Sequence, residues 1–333
     1  MSEHRLPPES DAKHPVRTAL TVMLSVVLVA ALTAGGYLWH LARTFDSGKQ
    51  TLTGALPAGS PQKDPAAGDS QNFLLIGSDS RDPGSDNARS DTMMLVNIPA
   101  DRSGVYVMSI MRDTWVDVPG HGANKINAAM ALGGVSLTVE TVQELFDVPI
   151  DHVVVIDFEG FKGLTDSLGG VTLENHTAFT SREPGAEYFA AGSIRVQGES
   201  ALKYVRERYA FADGDYQRVR NQQAFVRGLL NGIMARGTLL NPVKVNEIVG
   251  GMSPYLSVDE GLDAVAAGRL GVSLRKVGPE DVHMFTLPNE GVGTSPDGQS
   301  IVLPDYAAIA EIGAALDGGT MAGYPGASGA GKG

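Results

Sequence analysis

Five arginines and no lysine except Lys203 just before it mark the stretch from Tyr204 to Arg227, YVRERYAFADGDYQRVRNQQAFVR. A guanidinium is a planar fork that grips two phosphate oxygens at once, whereas an ammonium acts as a point charge. The choice of Arg206, Arg208, Arg218, Arg220 and Arg227 therefore points to a surface that reads phosphate. If RER is extended, Arg206 and Arg208 face one side. Asp215 then opens a helix as its N-cap or first-turn acid, and Arg218 and Gln222 stand one above the other at i, i+4. A plainer use suits the same residues: Glu207, Asp213 and Asp215 pair with the arginines on a solvated face, each pair contributing ~0–1 kcal/mol.

A second set of charges lies in NFLLIGSDSRDPGSDNARSDTMMLVNI, Asn72 to Ile98, where two apolar runs flank a loop with four aspartates and two arginines. Phe73–Ile76 has the unbroken apolar character of a buried strand, so Asp79 sits where that strand leaves the sheet, the usual place for ligand groups in open α/β folds. Asp91 directly precedes the next strand, and antiparallel pairing of the two would bring both carboxylates together. Magnesium, or manganese in its place, is commonly held by one or two carboxylates with waters and phosphate oxygens. Turn and capping roles are the alternative for both aspartates. A third element, VMSIMRDTWVDVPGHGANKINAA, ends a buried strand in Arg112, and Lys125 and Asn127 then open a helix whose N-terminus favours anions.

These charges need a scaffold. Strand-like runs appear at Phe73–Ile76, Thr92–Ile98, Val105–Met111, Val153–Phe158 and Val282–Leu287, and helical patterns at Ile126–Leu132, Ser136–Phe146, Glu159–Leu168, Tyr216–Ala235 and from Val258 to about Leu270. The alternation predicts one α/β domain over residues 72–316, with a central, mostly buried mixed sheet flanked by helices. Apolar positions of the helices from Ile126 to Phe146 and Phe225 to Ile233 are core residues in the plainer reading, and are also available to line an apolar slot. The chain of 333 residues carries a net charge of −12 and no cysteine. That excludes thiol chemistry and Cys-bound zinc, and speaks against nucleic acid as a partner.

Thr18–Trp39 runs 22 residues without a charge, enough for one transmembrane helix. Residues 1–17 then form a cytoplasmic tail, 40–71 a flexible Gly/Ser/Pro-rich linker that holds an extracellular catalytic domain off the cell membrane, and 317–333 a disordered tail.

GSDSR, RSDTMMLV, MSIMRDTWVDVPG with KINAA, and YVRERYAFADGDYQRVRNQQ, in this order and spacing, resemble the LytR-CpsA-Psr family of bacterial cell-wall ligases. The resemblance covers roughly residues 72–230. It implies a polyprenyl-pyrophosphate-linked glycan in an apolar groove, magnesium at the pyrophosphate, and transfer of the glycan phosphate to a peptidoglycan hydroxyl. It implies Asp79 and Asp91 on the metal side, and Arg89, Arg112, Arg206, Arg208 and Arg218 on the pyrophosphate, with Asp215 and Gln222 at the remaining motif positions. Lys125 joins the pyrophosphate side by its place before the helix. Asp91, Arg112, Asp215 and Arg218 are the expected catalytic set, with Asp91 and Asp215 both open as the base. Two positions depart from the pattern: Met111 stands where proline commonly precedes the Arg, and Asn221 replaces a frequent Arg. A membrane-tethered hydrolase of the same lipid and a non-catalytic envelope regulator are the alternatives.

Overall fold

The computed structural model describes residues 15–79, 90–235 and 241–328, with side chains from 28 to 326 within those stretches. In chain order the strands are β1 (Gln50–Leu52), β2 (Gln71–Ser78), β3 (Ser90–Ile98), β4 (Val105–Ile110), β5 (Trp115–Val118), β6 (Gly122–Lys125), β7 (His152–Asp157), β8 (Val171–Asn175), β9 (Phe179–Thr180), β10 (Tyr188–Phe189), β11 (Gly192–Val196), β12 (Ser257–Asp259), β13 (Val282–Thr286), β14 (Asn289–Thr294) and β15 (Ser300–Pro304). Seven of them form one sheet in the order β1-β12-β7-β2-β3-β4-β13. The sheet is mixed: β2 runs parallel to β7 and antiparallel to β3, and β4 is parallel to β13.

Both faces of this sheet are covered, which is why its central strands read as continuous apolar runs. The pleat sends Leu74, Ile76, Met93 and Leu95 to one face and Phe73, Met94 and Val96 to the other. Helix α2 (Ala128–Phe146) and the helix Tyr306–Asp317 pack the first face. Gly134 in α2 takes φ of +67°, so the element is two helical pieces joined at a kink, matching the two separate patterns at Ile126–Leu132 and Ser136–Phe146. On the second face lie α5 (Asp215–Met234) and the helix Ala264–Ser273. A smaller apolar cluster joins β8 and α4 (Gly198–Arg206) to Phe225 of α5. The helical pattern expected from Val258 is in fact strand β12 followed by a helix that starts at Ala264, where Asp263 caps it by accepting from the Ala266 amide at 2.8 Å.

Helix α1 (Pro15–Gly48) contains the apolar stretch Thr18–Trp39, part of which precedes the described side chains. Among the described residues no helix is long and apolar enough to cross a membrane. The segment 40–71 differs from a flexible linker. Asp46 accepts from the Ala264 amide at 2.9 Å, β1 joins the sheet beside β12, and Lys63 pairs with Asp151 at 2.7 Å. Every one of these partners lies far along the chain, which local composition does not reveal. The segment after 317 likewise buries Met321 in the core and sets Tyr324 against Phe285. Residues 329–333 lie outside the described residues.

Candidate active site

Strand pairing collects the charges at one end of the sheet. β2 and β3 are antiparallel, with a bulge where Ser78 meets Ser90, so Asp91 falls at the sheet's mouth near the end of β2. β4 runs beside β3 with Ile110 opposite Met93, and the chain emerges next to Asp91 as Met111-Arg112-Asp113. Thr114 fixes that exit by donating its amide and hydroxyl to the Met111 carbonyl, at 3.0 and 2.6 Å. Arg112 Nη1 then donates to Asp91 Oδ1 at 2.8 Å, while its Nε lies 3.5 Å from Asp113 and 3.8 Å from Asp215.

The first turn of α5 closes the cluster from above. Gly214, at φ +50°, turns the chain into the helix and puts Asp215 in its first turn. Asp215 Oδ1 lies 3.1 Å from Arg218 Nη2 and 3.6 Å from Arg208 Nη1, and Lys125 Nζ reaches Asp113 at 3.1 Å. Arg218 is only 4% exposed. Burial pushes the Asp215 carboxyl up, helped by its hydrogen bond to Asp113, against the pull of Arg218 and Arg112. Burial also opposes charge on Asp113, but the hydrogen bond from Asp215 together with Arg112 and Lys125 outweighs it and holds Asp113 low. The two neighbouring carboxyls are thus displaced in opposite directions, Asp215 up and Asp113 down. Burial, with the nearby charges of Arg112 and Arg208, lowers Arg218 against the pull of Asp215 and Asp91, whereas at Arg112 the carboxylates Asp215, Asp91 and Asp113 outweigh burial and raise that guanidinium. Both guanidiniums stay charged.

This network is incomplete by its own accounting. Arg112 Nε, Arg218 Nε and Asp215 Oδ1 are buried and make no hydrogen bond. A buried donor left in that condition costs ~1–3 kcal/mol, more when it is charged. Four cations, Arg112, Arg208, Arg218 and Lys125, face the three carboxyls of Asp91, Asp113 and Asp215, so an arriving anion would complete the set.

Behind the cluster opens a cavity of about 350 Å³. Its walls are apolar, among them Leu75, Ile156, Phe158, Phe161, Leu202 and Phe225, while Asp91, Arg112, Arg208 and Arg218 stand at its charged end. The lipid slot anticipated from sequence is half right in its lining. Phe225, Val226 and Leu229 face the cavity, but Ile126, Met130, Val139 and Phe146 are locked in the core of the opposite sheet face. A second, open groove of about 910 Å³ along β8 and α5 touches none of the charged cluster.

Of the predicted residues, Asp91, Arg112, Lys125, Arg208, Asp215 and Arg218 come together. Arg206 lies at the cavity rim, with its guanidinium 4.5 Å from the Phe158 ring and 3.6 Å from Glu183. Gln222 lines the cavity one turn below Arg218 and donates to the Val205 carbonyl at 3.3 Å. Asp79 is exposed just beyond β2 and lines neither the cavity nor the ion network around Arg112. Arg89 lies outside the described residues. Lys125 ends β6 two residues short of the α2 N-cap, Asn127, and works through Asp113. Glu207 is no partner of the arginines: it is buried and accepts from the amides of Arg182 and Ala210. Asn221, in the place of a frequent Arg, is buried and hydrogen-bonds Gln217 and the Tyr204 carbonyl. Asp113 is the residue that sequence reading passed over; its signal was adjacency to Arg112 at a strand end.

Among the described residues no three His, Cys, Asp or Glu side chains are grouped to hold a metal. The donor set instead suits an ion that takes one or two carboxylates and fills the rest of its sphere with water and phosphate oxygens, as magnesium does. Asp91 stands at the cavity's charged end for such an ion, and Asp79 does not line the cavity.

A model of the LytR_cpsA_psr family matches residues 41–317. A polyisoprenyl-teichoic acid–peptidoglycan teichoic acid transferase TagU from Enterococcus faecalis is 31% identical over 247 residues, 72% of this chain and 78% of that protein. The protein of the same name from Bacillus cereus is 36% identical over 160 residues, 48% of this chain and 51% of its own. Among solved structures, B. subtilis TagV superposes with a TM-score of 0.66 at 24% identity, over 78% of this chain and 98% of that one, which speaks to fold alone. TagT bound to LI-WTA superposes with a TM-score of 0.62 at 26% identity, over 80% of this chain and 98% of its own.

Proposed function

The chain belongs to the LytR_cpsA_psr family, and from that premise we propose that it is a transferase that moves a glycopolymer from a polyprenyl-pyrophosphate carrier to a peptidoglycan hydroxyl. The observation that carries this reading is the union of an apolar cavity with a cationic end whose buried guanidinium N–H groups lack partners. A lipid that ends in pyrophosphate matches both halves.

The chemistry follows from the side chains. Polyprenyl carbons enter the cavity and displace water from Phe158, Phe161 and Leu202. Arg112, Arg208 and Arg218 receive the pyrophosphate, whose charge grows on the leaving oxygen as the bond breaks. Their ion pairs with Asp91 and Asp215 hold the guanidiniums in place before substrate arrives, so little reorganisation is left for the reaction. Asp91 would hold a magnesium ion, with Asp79 beyond β2 as a second carboxylate, and the ion would supply further neutralisation of the phosphate oxygens. Exposed Leu28, Val29, Leu32, Leu38 and Trp39 on α1 support reading that helix as a membrane anchor, with residues 1–17 cytoplasmic and the catalytic body outside the cell.

The test is transfer from a synthetic polyprenyl-pyrophosphate oligosaccharide to peptidoglycan by the full-length protein with magnesium, scoring both transferred sugar and released polyprenyl phosphate. Arg218→Ala is expected to lower transfer by about 10²–10³, or ~3–4 kcal/mol, the usual loss for one such donor, with the melting temperature close to wild type. Transfer retained in that variant would remove the assignment. Lipid phosphate released without sugar transfer would make the protein a hydrolase.

A further inference from the structure

The charged cluster has two faces, and only one of them looks into the lipid cavity. On the other side lies a separate cleft of about 420 Å³ between the Tyr209–Tyr216 loop and the β14–β15 hairpin. Asp113 and Asp215 line it together with Tyr216, Val292 and Ser300. Asp91, Arg112 and Arg218 line the lipid cavity and not this cleft, whereas Asp113 and Asp215 line the cleft and not the cavity. Arg208 and Tyr209 line both, and they form one unit: the guanidinium lies 4.6 Å from its neighbour's ring centre and Arg208 Nη2 donates to the Tyr209 hydroxyl at 2.6 Å. They are the wall between the two spaces.

We propose that this cleft is the acceptor subsite, that it takes a peptidoglycan saccharide, and that the Asp113–Asp215 pair, not Asp91, receives the proton of the attacking hydroxyl. The inference rests on the transferase reading above and assigns the second substrate of the same site. Phosphoryl transfer needs the entering and leaving oxygens roughly in line across phosphorus. With the lipid in the cavity its phosphate departs on the Asp91 and Arg218 side, and the cleft, which shares only Arg208 and Tyr209 with the cavity lining, gives the acceptor a separate approach. The cleft's chemistry suits a sugar: aromatic and aliphatic surface from Tyr216 and Val292, a hydroxyl from Ser300, and the carboxyls of Asp113 and Asp215. Its shape is fixed from outside, because the Tyr216 hydroxyl donates to Asn289 Oδ1 at 2.7 Å and the Val302 amide donates to the Asp113 carbonyl at 2.9 Å, tying the hairpin to both sides of the cluster.

In the step itself the acceptor oxygen forms a bond to the phosphorus that carries the glycan, and the bond from that phosphorus to the bridging oxygen breaks. Polyprenyl monophosphate leaves with the bonding pair. The hydroxyl proton passes to the Asp113–Asp215 carboxyl pair, which lines the cleft. Asp91 is left to the arginine and the metal on the leaving side.

The experiment narrows the cleft from a wall that touches no ion pair. Val292 is 64% exposed, so Val292→Arg is tolerated by the fold, and Ser300→Trp is a second blocking variant. Soluble peptidoglycan saccharide is titrated calorimetrically into full-length wild type and both variants without donor, and acceptor and donor KM are then measured in transfer. We expect the saccharide Kd and acceptor KM to rise at least tenfold in both variants while donor KM moves less than twofold. Unchanged saccharide binding and acceptor KM in both variants overturns the inference, and so does a matched rise in both KM values, which would mark the cleft as a general support of the site. If wild type binds saccharide in a Val292-dependent way but releases lipid phosphate without transferring sugar, the cleft stands as a saccharide site and the transferase reading falls.

Discussion

Asp259, buried in β12, and Asp215, half-buried in the first turn of α5, have opposite surroundings. Asp259, 1% exposed, spends both oxygens on the protein: Oδ1 accepts from the Gly261 and Leu262 amides at 2.8 and 3.1 Å, Oδ2 from the Val153 amide at 2.9 Å, and His152 Nδ1 lies 3.2 Å from each. Asp215 sits among more cations, yet its Oδ1 accepts no hydrogen bond and two neighbouring guanidinium Nε groups lack partners. Charge density alone would rank Asp215 as the better-satisfied group. Completeness separates them: a closed set of partners builds structure, and an open set waits for a ligand.

That contrast is sharpest when each aspartate is removed. Asp259→Ala strands His152 and three amides of a strand and a turn, and the expected loss is about 3–5 kcal/mol of stability, the range for deleting one partner of a buried charged set. Denaturant unfolding reads it, and the transfer rate per folded molecule should be unchanged. If Asp259→Ala unfolds no more easily than Arg218→Ala, the division between the two sites is wrong.

Acid gives the same contrast with a sign. Burial works against the charge on Asp259, but the His152 and amide hydrogen bonds outweigh it and hold the carboxyl below its ordinary 3.8. Its contribution is therefore complete above about pH 4 and fades as pH falls through the lowered folded value. Asp215 is displaced the other way, raised chiefly by burial. Its ionisation weakens the folded state as pH rises from 3.8 through that raised value, so stability at pH 7 gains from neutralising it. Asp215→Asn should thus be neutral or stabilising at pH 7 while transfer falls, and Asp259→Asn should be destabilising at pH 7 by an amount that shrinks below pH 4. Urea midpoints measured from pH 3 to 7 check both; parallel curves for the two variants would show that their environments do not differ.

The sequence made one side of this comparison far easier to read than the other. Strands β2, β3 and β4 announced themselves as apolar runs because the sheet is covered on both faces, and Arg112, Asp215 and Arg218 stood out as charges at their ends or on the next helix. Antiparallel pairing of β2 and β3, which a short apolar strand–loop–strand suggests, brought Asp91 to the mouth of the sheet but not Asp79 into the cluster, and Asp215 and Arg218 arrive only with the packing of α5. Asp259 gave no signal, since its partners lie about a hundred residues earlier in β7 and in its own turn. The segment 40–71 misled for the same reason: β1 and Lys63 are ordered by β12 and Asp151, not by neighbours. Asp113 was visible but unassigned, because only the fold shows that it lines the cleft beside the β14–β15 hairpin and not the apolar cavity.

The smallest effect tests whether arginine content by itself carried the argument. Arg220 lies on the same helix as Arg218, two residues on, and so points to another side of it. It pairs with Asp213 and donates to Gln217 Oε1, with its side chain 51% exposed, and lines the open groove along β8. An exposed pair of this kind contributes ~0–1 kcal/mol. Arg220→Ala is expected to shift unfolding by no more than that and to leave donor and acceptor KM within twofold of wild type, while Arg218→Ala removes transfer. Two arginines from one motif would then differ by more than a hundredfold in rate because one is buried with an unmatched N–H and the other is solvated and already paired. A large transfer loss in Arg220→Ala would instead place the open groove, and not the covered cluster, on the substrate path.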